Sequence, residues 1–267
     1  MAACVRVSCC ELAPVVGDLA GNLARASTAI RAAAGEGADV IVLPELATSG
    51  YCFESPDEAR RLALGADDGI FAEWAELAAG SVVVAGFAER GEDGNLFNSA
   101  VLLCDDLRVV YRKVHLWNTE QLFFTPGDRP APVAETPVGR IAVMVCYDME
   151  FPEMTRAVAL RGADLLAVPT NWPWVDRPEG QPAPEILIAM AAARVNRMPI
   201  ACCDRRGVER GQRWNEATAI LDESGWPVAT AADTGVATAV LDLSLARSKT
   251  LSARNDALAD RRPDVYR

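Results

Sequence analysis

Three ionisable residues of this sequence could together cleave an acyl bond. Glu45, Lys113 and Cys146 each follow a strand-like, mostly apolar run. In open α/β sheets, reactive side chains gather beyond the carboxyl ends of strands, so these three could meet in one cleft. A thiol needs a base before it can attack, a carboxylate can be that base, and an ammonium can stabilise an oxyanion. The residue types therefore indicate covalent acyl transfer through Cys146.

The local sequence around the cysteine suits a nucleophile. Cys146 stands between a predicted strand at 140–145 and a helix that begins at Pro152, a residue that favours the first helical position. A sharp turn between these elements would expose the sulfur. The backbone N–H of Tyr147 could then be a second oxyanion donor, as it is after other strand-turn nucleophiles.

The single histidine of the chain, His115, argues against an imidazole as the base of such a reaction. We interpret His115 as lying on the same strand as Lys113 and expect a structural role for it, which favours a carboxylate base. Other interpretations of the three residues stay open. A cysteine that ends an apolar strand is usually part of the core, and a lysine there is usually solvated.

The eight cysteines predict neither disulfides nor a metal site. Cys9-Cys10 and Cys202-Cys203 are adjacent pairs, and neighbours on a strand point to opposite faces. No Cys-x-x-Cys occurs and histidine is nearly absent, so zinc is not expected. The thiols should stay reduced and mostly act as small buried hydrophobes.

Charge and hydropathy exclude several classes of partner. The net charge of the 267-residue chain is −11, which argues against binding to nucleic acid, since phosphate recognition rests on Lys and Arg. We find no signal peptide at the start of the sequence and no apolar stretch long enough to cross a membrane. A soluble, cytoplasmic protein is expected.

Strand-like and helix-like segments alternate along the chain, which predicts one α/β domain over 1–267, with a polar C-terminal arm at 249–267. This arm could be a loose tail or could pack on a partner. We predict a helix that Asp18 caps and that ends near Gly35 and Gly37, and further helices at 57–79, 152–162 and 184–196. The predicted strands are 5–9, 39–43, 81–87, 98–104, 107–113, 140–145, 164–168, 200–204, 217–221 and 236–242.

The motifs around these residues resemble those of the nitrilase superfamily of carbon–nitrogen hydrolases. The resemblance covers nearly the whole chain and keeps the motifs in the family's order. It rests on these stretches: Leu43-Pro44-Glu45, the run 112–116, Cys146-Tyr147-Asp148 with Phe151-Pro152-Glu153, Glu120 with the run 124–127, Asn171-Trp172-Pro173, and the run 262–266.

This resemblance implies a four-layer αββα sandwich with two central mixed β-sheets. It also implies no metal or organic cofactor, and a homo-oligomer, at least a dimer, in which the sandwich continues across subunits. Glu120 would position substrate and Lys113. Two departures leave subunit contacts and substrate subfamily open: the run 192–196 keeps only the final Asn of a family motif, and Glu216-Ala217-Thr218 replaces a Gly-x-Ser motif.

The function implied is hydrolysis of a non-peptide amide by Cys146, with Glu45 as base and Lys113 as oxyanion donor. Cys-Tyr-Asp looks more like the amidase and carbamoyl-hydrolase branches than the nitrilases. A carbamoyl hydrolase, a nitrilase and a non-catalytic binding protein with the same fold remain alternatives. The expected substrate pocket, which suits a small and partly apolar molecule, comprises Tyr51, Trp117, Phe124 and Trp172, with Glu120 and Trp174 beside them.

Overall fold

The computed structural model describes residues 4–231 and 234–266. The two ends of the predicted domain, 1 and 267, lie outside the described residues. The strands are β1 (Cys4–Cys10), β2 (Val40–Val42), β3 (Val82–Arg90), β4 (Leu96–Cys104), β5 (Leu107–Arg112), β6 (Val133–Thr136), β7 (Gly139–Val143), β8 (Leu165–Pro169), β9 (Ile200–Cys203), β10 (Val208–Glu209), β11 (Gln212–Arg213), β12 (Ala219–Leu221), β13 (Pro227–Thr230), β14 (Val236–Asp242), β15 (Thr250–Ser252) and β16 (Asn255–Asp256).

The helices alternate with these strands over most of the chain. They are α1 (Leu19–Gly35), α2 (Pro56–Leu62), α3 (Gly69–Ala78), α4 (Pro152–Leu160), α5 (Pro184–Asn196) and α6 (Ser244–Arg247), and 3-10 turns cover Asn118–Leu122 and Cys146–Glu150. Several begin at recognisable caps. The Asp18 carboxylate accepts a hydrogen bond from the N–H of Gly21 at the start of α1, as the sequence predicts.

Two six-stranded mixed sheets form the centre of the molecule. The first has the order β14-β1-β2-β3-β4-β5, with β1, β2 and β3 parallel and the other pairs antiparallel. The second has the order β13-β12-β9-β8-β7-β6, with β7, β8 and β9 parallel. Because β5 runs in the same direction as β2, the carboxyl ends of both strands lie at one edge of the first sheet.

Neighbouring residues of a central strand face opposite sides of its sheet, so each sheet packs against a different layer on each side. Val40 and Val42 of β2 face a core that they share with residues of the second sheet, such as Val143 and Ala167. Ile41, between them, faces the opposite way, into a cluster with residues of α1 and α3. Residues of α4 and α5 cover the outer face of the second sheet. The prediction of an αββα sandwich is confirmed.

The predicted helix over 57–79 is wrong, because this segment contains two helices. Between α2 and α3 the chain becomes extended and Leu64 pairs with β3, where its N–H donates to Ala88 O at 2.9 Å. Asp68 then caps α3 by accepting from the N–H of Ile70 at 3.0 Å. Gly65 and the Asp67-Asp68 pair were the local signals for this break.

Two edge strands of the second sheet, β6 and β13, were not predicted. Both are short and partly exposed, so they lack the apolar run that marks a buried strand. At the other end of the chain, the predicted arm begins with the β15–β16 hairpin. The Lys249 ammonium there donates to Asn196 O at 3.0 Å and Arg197 O at 2.9 Å, which ties the start of the arm to the end of α5.

Within the described ranges, no helix combines the length and the hydropathy that a membrane crossing needs.

Gly86 of β3 controls the position of the segment that follows β2. Its N–H donates to Pro44 O at 3.0 Å, and its carbonyl accepts from the N–H of Ala47 at 2.9 Å. A Cβ on this glycine would lie 2.5 Å from the Cα of Glu45 and 2.6 Å from the N of Leu46. These are backbone atoms that cannot rotate away, so only glycine permits this approach of β3 to Glu45.

We expect Gly86→Ala to destabilise the protein by about 1–3 kcal/mol, because the added methyl group must displace the backbone at Glu45. Urea unfolding would measure the change in free energy. Gly35→Ala is the matched control, since nothing lies within 4 Å of its Cβ position at the end of α1. Its effect should be neutral or stabilising by up to about 1 kcal/mol. Equal stability of Gly86→Ala and wild type would contradict the packing argument.

Candidate active site

A sharp turn after β2 brings Glu45 into the interior. The strand ends at Val42, Pro44 follows it, and Leu46, directly after Glu45, has a left-handed backbone with φ +47°. The Glu45 side chain is fully buried. Its backbone is held from the second sheet, because the side-chain amide of Asn171 donates to Glu45 O at 2.9 Å. The carboxylate therefore lies at the junction of both sheets.

The Lys113 ammonium joins two carboxylates. Lys113 directly follows β5, and its backbone N–H still pairs with Asn98 O of β4 at 2.8 Å. Its Nζ donates to Glu45 Oε1 at 2.7 Å and to Glu120 Oε1 at 2.7 Å. All three side chains are almost fully buried, so the pairs are shielded from solvent.

Further donors hold the two carboxylates in place. The amide of Asn98 donates to Glu45 Oε1 at 2.7 Å. Glu120 accepts from the Tyr51 hydroxyl at 2.7 Å and from the backbone N–H of Trp117 at 3.2 Å. Glu45 Oε2 is different, because this buried oxygen has no hydrogen-bond partner among the described residues. One oxygen of Glu45 is therefore free to accept a proton from another group.

Cys146 occupies the predicted turn. Its φ is +47°, a left-handed conformation that costs a residue with a side chain about 1–2 kcal/mol. The side chain of Asp148, fully buried, accepts hydrogen bonds from the N–H of Val145 at 3.3 Å, the Tyr111 hydroxyl at 2.8 Å and the N–H of His115 at 2.9 Å. Asp148 thus fixes a strained turn to β5 and to the segment after Lys113.

A second buried carboxylate positions the segment opposite Cys146. Asp204 Oδ1 accepts from the Thr170 hydroxyl at 3.3 Å and from the N–H of Trp172 at 3.0 Å, so it holds the residues on both sides of Asn171. Burial raises the pKa of the Cys146 thiol, and the backbone N–H of Asn171 opposes that rise. Burial raises the pKa of Asp204 itself to about 7.

The charges of the site oppose a free thiolate. Burial, followed by the negative charge of Glu45, holds the pKa of the Cys146 thiol well above its usual range, although Lys113 opposes this shift. Burial also raises the pKa of Glu45 to about 7, against the opposing effect of the Lys113 ammonium. Burial alone would lower the pKa of Lys113, but the two carboxylates outweigh it and raise that pKa well above its usual value. At neutral pH the resting cysteine is therefore a thiol.

His115 lies beyond β5, not on the strand as we had expected, because the strand ends at Arg112. Its ring stacks on Phe151 with 3.6 Å between centroids, and its Nδ1 lies 2.9 Å from Asp148 Oδ1. Through these contacts the His115 side chain packs against the turn at Cys146 and stabilises it. They support the structural role that the sequence indicates.

The predicted pocket residues divide into two groups. Tyr51 and Trp117 line one cavity of about 390 Å³, together with Trp214. Phe124 and Trp172 do not line it and are 6% and 1% exposed. Phe124 packs in the cluster around Phe53 and borders a neighbouring cavity, whereas the Trp172 ring belongs to the core between the sheets.

Two other predicted residues lie at the surface of the site or near it. Trp174 is 36% exposed and packs between the guanidinium groups of Arg177 and Arg213. Tyr147 is half-buried, and its ring makes an edge contact with Trp117 at 4.8 Å. Its backbone N–H is at the start of the 3-10 turn that begins with Cys146, where N–H groups have no partner within the turn.

Five residues around the reactive ones were not predicted, namely Trp214 and the polar residues Asn98, Asp204, Arg205 and Glu209. The only local signal was a polar residue within or next to an apolar strand, as at Asn98 of β4 and Asp204 after β9. Such residues need buried partners. In the part of the chain that the structure describes, no group of three or more His, Cys, Asp or Glu side chains has the arrangement of a metal site.

The chain is similar to known proteins over most of its length. A family model described as carbon-nitrogen hydrolase matches residues 6–250. A nitrilase from Pyrococcus abyssi is 33% identical, with 98% of this chain and 99% of the relative covered. An N-carbamoylputrescine amidase from Solanum tuberosum is 28% identical over 94% of this chain and 90% of its own length.

A solved structure of an amidase mutant from Nesterenkonia sp. AN1 is similar in fold, with a TM-score of 0.79 and 26% identity. The match covers 98% of this chain and 95% of that chain. In that mutant a glutamate is replaced by glutamine, and the acetamide moiety of fluoroacetamide is bound covalently to the active-site cysteine.

We expect Asp148→Ala to destabilise the protein by at least about 3 kcal/mol, because it leaves several buried donors without an acceptor. Tyr111→Phe is the matched comparison. It removes one of these hydrogen bonds and should cost about 0.5–1.5 kcal/mol. Free energies of unfolding from urea titrations would test both values. If the two variants were equally stable, Asp148 could not be the anchor of the Cys146 turn.

Proposed function

The chain belongs to the carbon–nitrogen hydrolase family, and from this premise we propose that it hydrolyses a non-peptide amide to a carboxylic acid and ammonia or an amine. In this proposal Cys146 is the nucleophile, Glu45 the general base and Lys113 the oxyanion donor. Glu120 orients the lysine. The cysteine adduct in the related Nesterenkonia amidase supports a covalent intermediate.

The observation that carries the proposal is the unequal use of the two oxygens of Glu45. Oε1 accepts from Lys113 and Asn98, whereas Oε2 is buried without a partner among the described residues. A carboxylate in this state is held in position and keeps one lone pair for a substrate or thiol proton. Burial also raises the pKa of Glu45 to about 7, close to the value that suits a base at neutral pH.

The first half-reaction forms a thioester. Glu45 accepts the thiol proton of Cys146 as the sulfur attacks the carbonyl carbon, so that no free thiolate need accumulate against the raised pKa of the thiol. Lys113 and the backbone N–H of Tyr147 stabilise the negative oxygen of the tetrahedral intermediate. The C–N bond then breaks, and protonated Glu45 returns its proton to the departing nitrogen.

The second half-reaction uses the same groups. Glu45 takes a proton from a water molecule as the water oxygen attacks the thioester carbon. Lys113 and Tyr147 again hold the oxyanion. The C–S bond breaks, the acid leaves, and the proton on Glu45 returns to the Cys146 sulfur. The positions of Glu45 and Lys113 are the same in both steps because Asn98, Glu120 and Tyr51 hold them.

Two relatives are named nitrilase and N-carbamoylputrescine amidase. The same triad should therefore also be tested with a nitrile and with an N-carbamoyl amine. A nitrile and an N-carbamoyl amine differ from an amide in their products. Ammonia, amine and carbon dioxide measurements on a panel of the three compound types would separate them. The absence of turnover across the whole panel would favour a binding protein that kept the fold.

Location and assembly belong to the same proposal. The protein acts in the cytoplasm, where its eight cysteines, all unpaired, stay reduced. It forms a homo-oligomer of at least two subunits. Exposed apolar side chains on the edge strand β14 support this assembly, namely Val236, 39% exposed, and Val240, 57% exposed.

We expect Cys146→Ala to lower turnover of any amide substrate by at least about 10⁴-fold, because no nucleophile remains. Its thermal midpoint should stay near that of wild type, since the change removes one sulfur atom. Ammonia release measures turnover. Mass spectrometry of wild type after an acid quench should show an acyl group on Cys146. Normal turnover by Cys146→Ala would overturn the assignment.

The pH dependence of kcat/KM should have an acid limb centred near pH 7. Below this pH Glu45 is protonated and cannot accept the thiol proton, so activity falls; above it the carboxylate is ionised and activity rises to a plateau. Initial rates between pH 5 and 9 would measure the limb.

Asp204 has a pKa raised to a similar value, about 7, so it needs its own control. Asp204→Asn keeps an acceptor for Trp172 and removes the titration, so the acid limb should persist in this variant. Glu11→Gln is a second control, since burial raises the pKa of Glu11 to about 6. If either variant lost the acid limb of the pH profile, the ionisation behind that limb would belong to the replaced residue and not to Glu45.

A further inference from the structure

One cavity of about 390 Å³ has both apolar and polar walls, and two of its residues, Tyr51 and Trp117, hydrogen-bond to Glu120. The apolar side is formed by Tyr51, Trp117, Leu122, Phe123, Pro173 and Trp214, and polar groups come from Glu54, Asn118, Thr119 and Gln212. Leu122 and Trp117 are 68% and 40% exposed, which is high for large apolar side chains. Exposed apolar groups gathered around a cavity are typical of a binding site.

Two residues that line this cavity, Tyr51 and Trp117, form hydrogen bonds with Glu120 of the site. The Tyr51 hydroxyl donates to Glu120 Oε1 at 2.7 Å, and the backbone N–H of Trp117 donates to Glu120 Oε2 at 3.2 Å. Glu120 in turn accepts from the Lys113 ammonium. Glu120 therefore connects the wall of this cavity with the lysine at which we place the substrate carbonyl.

The charge around the cavity selects against an acid. No lysine or arginine lines it among the described residues, and the nearby cations Arg210 and Lys113 are already paired with Glu54 and Glu120. A substrate carboxylate would therefore lose its hydration here without an unpaired cation to replace it. An uncharged substituent meets no such cost.

A buried ion pair makes two walls rigid. The Arg205 guanidinium, 1% exposed, donates to Glu209 Oε2 at 3.0 Å. Glu209 Oε2 accepts the backbone N–H groups of Tyr51 and Cys52 at 2.8 Å each. The same guanidinium lies 4.5 Å from the centroid of the Trp214 ring.

The two aromatic walls also contact each other. The rings of Tyr51 and Trp214 meet edge to face, with 5.3 Å between centroids. The Trp214 side chain is 3% exposed, and its indole N–H has no acceptor among the described residues. This wall is therefore in position before any substrate enters, and it lowers the ordering cost of binding.

We propose that this cavity binds an uncharged, bulky apolar substituent of the amide, such as an arylalkyl acyl group, and that Trp214 is a specificity-determining residue. The inference rests on the proposed amide hydrolysis and names its substrate class. A volume of about 390 Å³ lies in the range of cavities that enclose organic ligands, and an acetyl group would leave most of it unfilled.

The first test compares kcat/KM of wild type for acetamide, 3-phenylpropionamide, N-benzylacetamide and succinamate, by release of ammonia or amine. 3-Phenylpropionamide should exceed acetamide at least about tenfold, since smaller apolar differences already give that factor. Succinamate, which carries a carboxylate, should be the poorest. If N-benzylacetamide is preferred over 3-phenylpropionamide, the cavity does not bind the acyl side and that part of the proposal is wrong.

Variants of Trp214 test whether this residue sets the preference for a bulky apolar substituent. Trp214→Ala should lower the 3-phenylpropionamide to acetamide ratio at least about tenfold, and Trp214→Phe should keep most of the preference if shape and not the indole N–H sets it. Trp226→Ala is the matched control, because that tryptophan is exposed outside the cavity, and it should leave the ratio as in wild type. An unchanged ratio in Trp214→Ala would overturn the role of Trp214.

Leu122→Lys covers the case in which Trp214→Ala does not fold, because Leu122 is largely exposed and tolerates replacement. It places a cation at the cavity and should raise kcat/KM for succinamate relative to 3-phenylpropionamide at least about tenfold. No change in this ratio would show that the cavity does not hold the substituent.

Binding to Cys146→Ala separates this inference from the proposed function. Calorimetry should give a Kd for 3-phenylpropionamide at least about tenfold below that for acetamide. This preference without any turnover by wild type would reject the proposed function and keep the cavity assignment. Turnover without the preference would reject the cavity assignment alone.

Discussion

The Lys113 ammonium lies in the interior between the carboxylates of Glu45 and Glu120, and the organisation of the site depends on this contact. Each buried ion loses several kcal/mol of hydration, which is recovered only when its partners are close and well aligned. Both distances from Nζ are 2.7 Å. Because removal of Lys113 would leave two buried carboxylates without their cation, at a cost of about 3–5 kcal/mol, the three side chains form one unit.

This unit constrains the backbone around it. Glu45 and Cys146 both occur at turns with a left-handed residue, Leu46 in one case and Cys146 itself in the other. Such turns are unfavourable alone and persist only when their surroundings hold them. Gly86 holds the first by close approach of β3, and Asp148 holds the second through its buried hydrogen bonds. The core of the sandwich therefore stabilises the conformations that the chemistry needs.

Further buried charges hold the reactive residues from the end of β9. Asp204 holds the residues on both sides of Asn171, and the side chain of Asn171 donates to the backbone oxygen of Glu45. Arg205 and Glu209 hold Tyr51, which reaches Glu120. The two networks start at the end of β9 and lead to different members of the reactive set. The carboxyl end of one strand thus positions both Glu45 and, through Tyr51 and Glu120, Lys113.

Much of the fold and the reactive residues could be predicted from the sequence, because their signals are local. Alternating or continuous apolar runs predicted the central strands. The helix α5 and the strand β14 have the bounds that the sequence predicts. The break between α2 and α3 and the edge strands β6 and β13 could not be predicted this way. They are short, and their pairing with another strand, which is not local, decides their conformation.

By itself, the sequence determined which residues could react and the order in which their motifs follow one another, since residue type and neighbours suffice for that. Only the tertiary structure decided that Lys113 is shared between two carboxylates, that Glu45 keeps one oxygen unpaired, and which polar groups hold them. Asn98 and Asn171 contact Glu45 across 53 and 126 residues. Contacts at such separations depend on how two sheets pack, and no local pattern in the chain records that packing.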